Sequence, residues 1–387
     1  MLLPLTNEPR DYAWGSTTLI AALQGRAPAD RPEAEVWFGD HPGDPSITPD
    51  ARPLDTWLAQ EGAAAGVEGS LPYLLKLLAA ASPLSIQAHP TRAQAEAGFA
   101  REEAAGVGLD APHRIYRDRN HKPELIVALS DEFHALAGLR EPADGARLAE
   151  AMGASGLAGR LSAPDASIAD VIAWVLSASA RDEVRELTRR AAAARSEEFA
   201  ADFALARALE EQYPGDPGII VALLMNRITL RRGEGLFVPA GVLHAYLDGL
   251  GVEIMAASDN VLRGGLTPKH IDVDELLEVL DARTGRPAAL RPRPVAPGVE
   301  QYDVPVGDFS LRRVAAEQGA VLPVGGASIV LSTDGEADVT GVRSGGTVRL
   351  GPGEAVLVTP DEAEVRVSGD GEVFIAGPGV AEGVGAE

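Results

Sequence analysis

Three polar side chains alternate with apolar ones in PLSIQAHP at 83–90: Ser85, Gln87 and His89 stand between Leu84, Ile86 and Ala88. In an extended strand that alternation turns all three to one face, and Pro90 ends the strand. A polar face on an otherwise buried strand is costly unless its groups find partners. A metal ion and a ligand would supply them. HKPE at 121–124 leads into a second strand, 125–129, and holds the Glu124 carboxylate at its start. His244 follows a turn made by Pro239 and Gly241 after the apolar run 236–238. Gln87, His89, Glu124 and His244 form the candidate ligand set. Two imidazoles, a carboxylate and an amide oxygen suit zinc, although ligand type by itself also admits iron or manganese. His41, in a Gly-Asp-His-Pro turn, reads as a surface histidine, and His113 and His121 flank a basic cluster without reading as ligands.

The stretch 231–270 carries a second kind of chemistry. Glu253, Ser258, Asp259 and Asn260 follow a strand-like run, and Arg263 and Lys269 bracket a Gly-Gly turn. So many specialised side chains between apolar strands belong to a small-molecule site. Lys76 is the one charge in LPYLLKLLAAA at 71–81. It either snorkels to an edge or points into a polar cavity. Arg114, Arg117, Arg119 and Lys122 crowd together in a chain whose net charge is −23. That acidity repels nucleic acid and anionic lipid. It repels a phosphorylated sugar as well, so an anionic ligand has to be captured by a local set of cations.

The segment 244–270, HAYLDGLGVEIMAASDNVLRGGLTPKH, resembles the signature of the type I mannose-6-phosphate isomerases (phosphomannose isomerases), zinc enzymes of the cupin class. PEAEVWFGDHP at 32–42, LPYLLKLLAAASPLSIQAHP at 71–90 and HKPELIVAL at 121–129 match the same family, in order. The resemblance implies one Zn2+ per chain on Gln87, His89, Glu124 and His244. It implies a phosphosugar pocket lined by Ser85, Lys76, Lys269 and Arg263. The implied reaction interconverts mannose 6-phosphate and fructose 6-phosphate through an enediol, with Arg263, Glu253, Lys122 and Asp259 as the catalytic candidates. The proton-shuttling base stays open among Glu253, Asp259, Lys122 and Lys269. The alternatives are a metal-dependent isomerase of unphosphorylated mannose and fructose, and a cupin sugar-binding protein without turnover.

The elements that must position these groups follow from composition. With 387 residues, 45% hydrophobic and 24% charged, the chain has the make-up of a globular protein with a sizeable core. It has no cysteine, which excludes disulfides and thiolate metal sites. MLLPLTNEPRDYAW lacks a basic region followed by a long apolar core, so the expected compartment is the cytoplasm. The expected partner is the sugar phosphate, with neither nucleic acid nor membrane, and the chain is expected as a monomer or homodimer. Helices are expected at 54–69 in part, at 91–106 with Thr91 as N-cap, at 165–176 and at 271–281, and strands at 219–224 and 228–230. The expected fold is mainly β: a cupin-like antiparallel β-barrel (jelly roll) over 1–136 and 218–284, a helical insertion at 137–217, and a second, cupin-like β-barrel domain at 285–387.

Overall fold

The computed structural model describes residues 1–164 and 166–379. The apolar run around Lys76 is the strand Tyr73–Ala80, buried along its whole length. Burial on both faces is why its sequence lacks alternation. It pairs with Glu35–Phe38 on one side and with the second half of the long strand His244–Ala256 on the other. That long strand also takes Glu124–Ala128, Glu132–Leu139 and Ile86–Ala88 as neighbours, and Leu262–Gly265 adds to Ile86–Ala88. The result is a nine-stranded sheet that branches along His244–Ala256.

The expected cupin-like barrel is therefore not the fold. The chain is a mixed α/β protein, and among the described residues no sheet closes into a barrel. The outer strands of the nine-stranded sheet, Glu35–Phe38 and Leu262–Gly265, end the pairing path and share no ladder. The described residues after 285 form no second barrel either. A seven-stranded sheet runs from Leu2–Leu5 at one edge to Arg293–Ala296 at the other, and a separate four-stranded sheet runs from Ala320–Pro323 to Thr347–Leu350. The physical reason lies in what covers the strands. Ten α-helices are present among the described residues, and the strand faces are closed by helices or by another sheet, so no sheet has to curl to bury itself.

The helices between Pro142–Ala151 and Gly218–Leu223 form one layer. Their apolar side chains pack on Ile86, Ala88, Leu136, Ala245, Leu247 and Leu262. This explains the alternation at 83–90: Ile86 and Ala88 face the helices while Gln87 faces away. The expected strand at 219–224 is the helix Gly218–Leu223, buried on every side. A short apolar run buried all round carries no period that separates helix from strand. The helix expected from 165 is Ile168–Leu176, with Asp165 outside the described residues. Thr91 caps Arg92–Ala104 through a capping box with Gln94. Among the described residues no helix is long and apolar enough to cross a membrane.

The central strands of the seven-stranded sheet are buried on both faces. Ile329, Leu331, Phe374 and Ala376 join Leu75, Leu77, Val252 and Ile254 of the nine-stranded sheet in one core. Their neighbours Val330, Val373 and Ile375 turn to Val339, Val365 and Val367 of the four-stranded sheet. Tyr73 crosses the first of these interfaces, its hydroxyl donating to the carbonyls of Ala327 at 3.0 Å and Ala376 at 3.2 Å. Tyr73→Phe leaves two buried carbonyls short of a partner, so it should cost about 1–3 kcal/mol. In urea unfolding this appears as a lower midpoint with an unchanged slope.

Candidate metal centre

The register of three adjacent strands sets out the first row of the site. Arg263 lies opposite Gln87, and Gln87 lies opposite His244. Directly opposed residues share a face, so a cation, an amide and an imidazole stand side by side. Ser85 joins them: its hydroxyl oxygen accepts from Arg263 at 3.0 Å and from the Gln87 amide at 3.2 Å. Arg263 is held in place by its glycines. Gly265 has φ +132°, and a Cβ there would sit 2.3 Å from the Cα of Gly218 at the head of the buried helix. Only a residue without a side chain allows that approach.

A second row comes from the far half of the long strand. Lys76 lies opposite Glu253, and Glu124 lies opposite Met255 two residues on. A register shift where Glu132–Leu139 pairs at Tyr246–Asp248 changes the parity of the long strand. Such a bulge brings His244 and Tyr246, before it, onto the same side as Glu253 after it.

His89, Glu124 and His244 converge, with one possible ligand atom from each within 4.8 Å of the others. All three are buried. Glu124 Oε1 is 3.2 Å from His89 Nε2, and Oε2 is 3.1 Å from His244 Nε2. The other ring nitrogens are already committed. His89 Nδ1 lies 2.7 Å from the carbonyl of Asn260, and His244 Nδ1 lies 3.1 Å from that of Val242. A carbonyl only accepts, so in the neutral rings both Nδ1 atoms carry the proton and both Nε2 atoms present lone pairs. Burial first, and the Lys122 charge second, push His89 down to about 4, which keeps it neutral. Two lone pairs aimed at a carboxylate repel it unless a cation lies between them, and His89 Nε2 has no hydrogen-bond partner. The donor set thus fits a divalent metal, with both imidazoles oriented by backbone carbonyls. Lys122 Nζ bonds Glu124 Oε1 at 2.6 Å. Burial opposes the Glu124 charge, but the Lys122 ammonium outweighs it and holds this carboxylate well below the usual range.

Beside the triad, the Lys76 ammonium is buried at 3.1 Å from Glu253 and 3.5 Å from Glu35, with the Trp37 ring 5.0 Å away. Burial works against its charge, but Glu35, Glu253 and Glu124 hold it above its ordinary value. Lys76 therefore points inward and does not snorkel. Burial raises Glu253, with Lys76 opposing and Glu124 and Glu35 reinforcing. On the cationic side, burial and then Arg117 lower Arg263; burial, Arg263 and Arg117 lower Lys269. Lys269 and Asp259 are exposed. The Asp259 carboxylate pairs with His41 Nε2 at 3.2 Å, so His41 belongs to the rim of this site as well as to its turn. His121 bonds Asp308 at 2.7 Å.

Two contributors escaped the sequence reading, and two more were read only in part. Glu35 neutralises Lys76 from the neighbouring strand, and its alternation with buried Glu33 was a usable signal. Tyr246 places a buried hydroxyl without a partner beside Glu253 and Glu124, two residues past His244. Arg117 was seen only as one of a cluster. Asn260 was seen only as one of the polar run 258–260, without its partners.

Comparison with known proteins follows this geometry. Residues 2–142 match the family model described as phosphomannose isomerase type I, catalytic domain. The chain is 37% identical over 356 residues to the mannose-6-phosphate isomerase of Salmonella typhimurium, covering 86% of this chain and 89% of that one. It is 32% identical over 385 residues to the human mannose-6-phosphate isomerase, covering 86% and 88%. A crystal structure of the Salmonella typhimurium enzyme bound to fructose 6-phosphate and zinc superposes with a TM-score of 0.87 at 33% identity, covering 98% of this chain and 100% of that one.

Proposed function

The chain belongs to the type I phosphomannose isomerases, and from that premise we propose how its residues divide the work. The enzyme interconverts mannose 6-phosphate and fructose 6-phosphate with one zinc ion held by His89, Glu124 and His244. The observation that carries this is the pair of imidazole Nε2 atoms converging on Glu124. The amide oxygen of Gln87, in register with His244, is the proposed fourth ligand. When bound, zinc supplies a Lewis acid beside the oxygens of the reacting carbons.

The isomerisation moves a proton between C2 and C1. The C2–H bond breaks, its electron pair becomes the C1=C2 bond of an enediol, and the C1 carbonyl oxygen takes a proton. The O2 hydroxyl then loses its proton to become the ketone as C1 gains one. Glu253 is the proposed holder of the travelling proton. Its raised pKa brings it towards the working pH, and Lys76 beside it balances the charge when the proton is absent. Lys122 adds positive charge against Glu124, and Asp259 with His41 marks the rim. Ser85, Arg263 and Lys269, joined by Arg117, are proposed to hold the phosphate, with Arg263 also steadying the enediolate.

A net charge of −23 supports a ligand list without nucleic acid. A monomer or homodimer in the cytoplasm is the proposed working form. The proposed organisation is a catalytic part at 1–136 and 218–284, a helical insertion at 137–217 and a β part from 285. The run of helices from Pro142–Ala151 to Ala200–Gln212 supports it.

Metal analysis of the purified protein before and after chelation, with an isomerase assay at each stage, tests the assignment. Turnover should fall with zinc content and return when zinc is added. Full turnover by a metal-free sample would sink it.

A further inference from the structure

Asn260 is fully buried, and its side chain reaches a loop more than a hundred positions earlier in the chain. Its Oδ1 accepts from the backbone N–H of Arg117 at 2.7 Å and of Asp118 at 3.2 Å. Its Nδ2 donates to the carbonyls of Asn120 at 2.8 Å and Asp118 at 3.0 Å, and lies 3.2 Å from Asp118 Oδ1. Two N–H groups face one end of the amide and two carbonyls face the other, so the amide orientation is determined. An amide of this length is the one side chain that satisfies both ends: aspartate has no donor, and glutamine is a methylene too long. Asp118 closes the circuit, accepting from Ser258 Oγ at 2.9 Å and from Asn120 N at 2.8 Å.

The same residue acts in the opposite direction through its main chain. Its carbonyl, 2.7 Å from His89 Nδ1, is what holds that imidazole in the tautomer the metal needs. One buried residue is thus bonded to a ligand of the metal and to the loop that leads through Arg117 and Lys122 to a second ligand, Glu124. Resting on the phosphosugar isomerase reading above, we infer that Asn260, with Asp118, is the positioning residue that sets the distance between the metal centre and the cationic loop that receives the phosphate.

The test uses Asn260→Asp, which keeps the shape and Oδ1 but removes the donors and sets a carboxylate against Asp118. It also uses Asp118→Asn, the double variant, and the milder Ser258→Ala. In the double variant a donor again faces an acceptor across the same two positions. Zinc release to an excess of a chelator is followed alongside kcat and KM for mannose 6-phosphate, well below each variant's Tm. Asn260→Asp should release zinc at least about tenfold faster, raise KM and lower kcat, the range found when groups that orient metal ligands are lost. The double variant should recover a large part of all three, which is the coupling a double-mutant cycle measures. If Asn260→Asp does not fold, recovery of folding and zinc retention in the double variant supports the same pairing, and Ser258→Ala should show the same changes in smaller measure. A merely structural role would lower Tm while leaving zinc release and the kinetic constants of the folded enzyme unchanged, and that result overturns the inference. So does a loss in Asn260→Asp that the double variant fails to recover. If the parent enzyme itself does not turn over mannose 6-phosphate, the functional reading fails, while the zinc-release arm still decides the role of Asn260.

Discussion

His244→Ala should leave a folded protein that holds little zinc and isomerises mannose 6-phosphate roughly a thousandfold more slowly or worse. Zinc bound in such a site contributes several kcal/mol of charge stabilisation, and each 1.36 kcal/mol is tenfold in rate. The loss should be near-complete because the remaining groups have an alternative. Without one imidazole, Glu124 keeps its bond to Lys122 at 2.6 Å, so an internal ammonium replaces the metal as the carboxylate's partner. His89→Ala should behave alike. His134 is the proper control: it pairs with Asp248 and Glu132 at the surface, and His134→Ala should keep both zinc and turnover. Full metal occupancy with unimpaired turnover in His244→Ala would show that the triad is misassigned.

Arg263→Ala should lower kcat about a hundredfold and also raise KM for mannose 6-phosphate. A lost donor at a developing negative charge typically costs roughly 3 kcal/mol. The substrate carries about −2 on its phosphate, and the protein's overall field opposes it. Capture therefore depends on the few cations gathered here: burial and then Arg117 lower Arg263, and burial, Arg263 and Arg117 lower Lys269. That mutual strain is relieved when an anion arrives. Lys269→Ala, at an exposed position, should raise KM and make it more sensitive to salt, with zinc content unchanged. Steady-state kinetics on mannose 6-phosphate and on free mannose separate the readings. Free mannose should be a very poor substrate, and neither substitution should alter its residual turnover as much. Comparable kcat/KM on the two sugars would transfer the assignment to unphosphorylated substrate.

What the sequence disclosed of the site is what strand alternation and short turns encode. Ser85, Gln87 and His89 could be assigned to one face because the period of a strand is local. The partners of Glu35, Tyr246 and Asn260 could not be assigned, because each lies far along the chain, and local pattern says nothing of register between distant strands. The same limit explains the barrel. Alternation reports which face of a strand is buried; whether the outermost strands meet depends on what else covers the sheet, and here helices and a second sheet do so. The helix Gly218–Leu223 was misread as a strand because six buried apolar residues look alike in either geometry. The stretches 228–246 and 348–367, each with a Gly-Glu pair ahead of an apolar run, place strands in matching order, Gly235–Val238 answering Ala355–Val358.

That last strand has a consequence for how the molecule is made. Ala355–Val358 is buried at every residue and lies between Ser328–Asp334 and Leu2–Leu5. An edge strand of the seven-stranded sheet thus leaves the ribosome long before the strand it pairs with, Leu2 lying opposite Val358. Thr359 donates to the Met1 carbonyl across a separation of 358 residues. Until Ala355–Val358 emerges, Leu2–Leu5 lacks this mate, and a nascent chain must carry it unpaired while the helices and the catalytic strands assemble. Docking it is a late, non-local step of the kind that slows folding. Until it docks, an apolar strand edge is open to pairing with another chain. Chaperone dependence and aggregation during expression should therefore respond to changes in these four residues more sharply than the stability of the finished enzyme does.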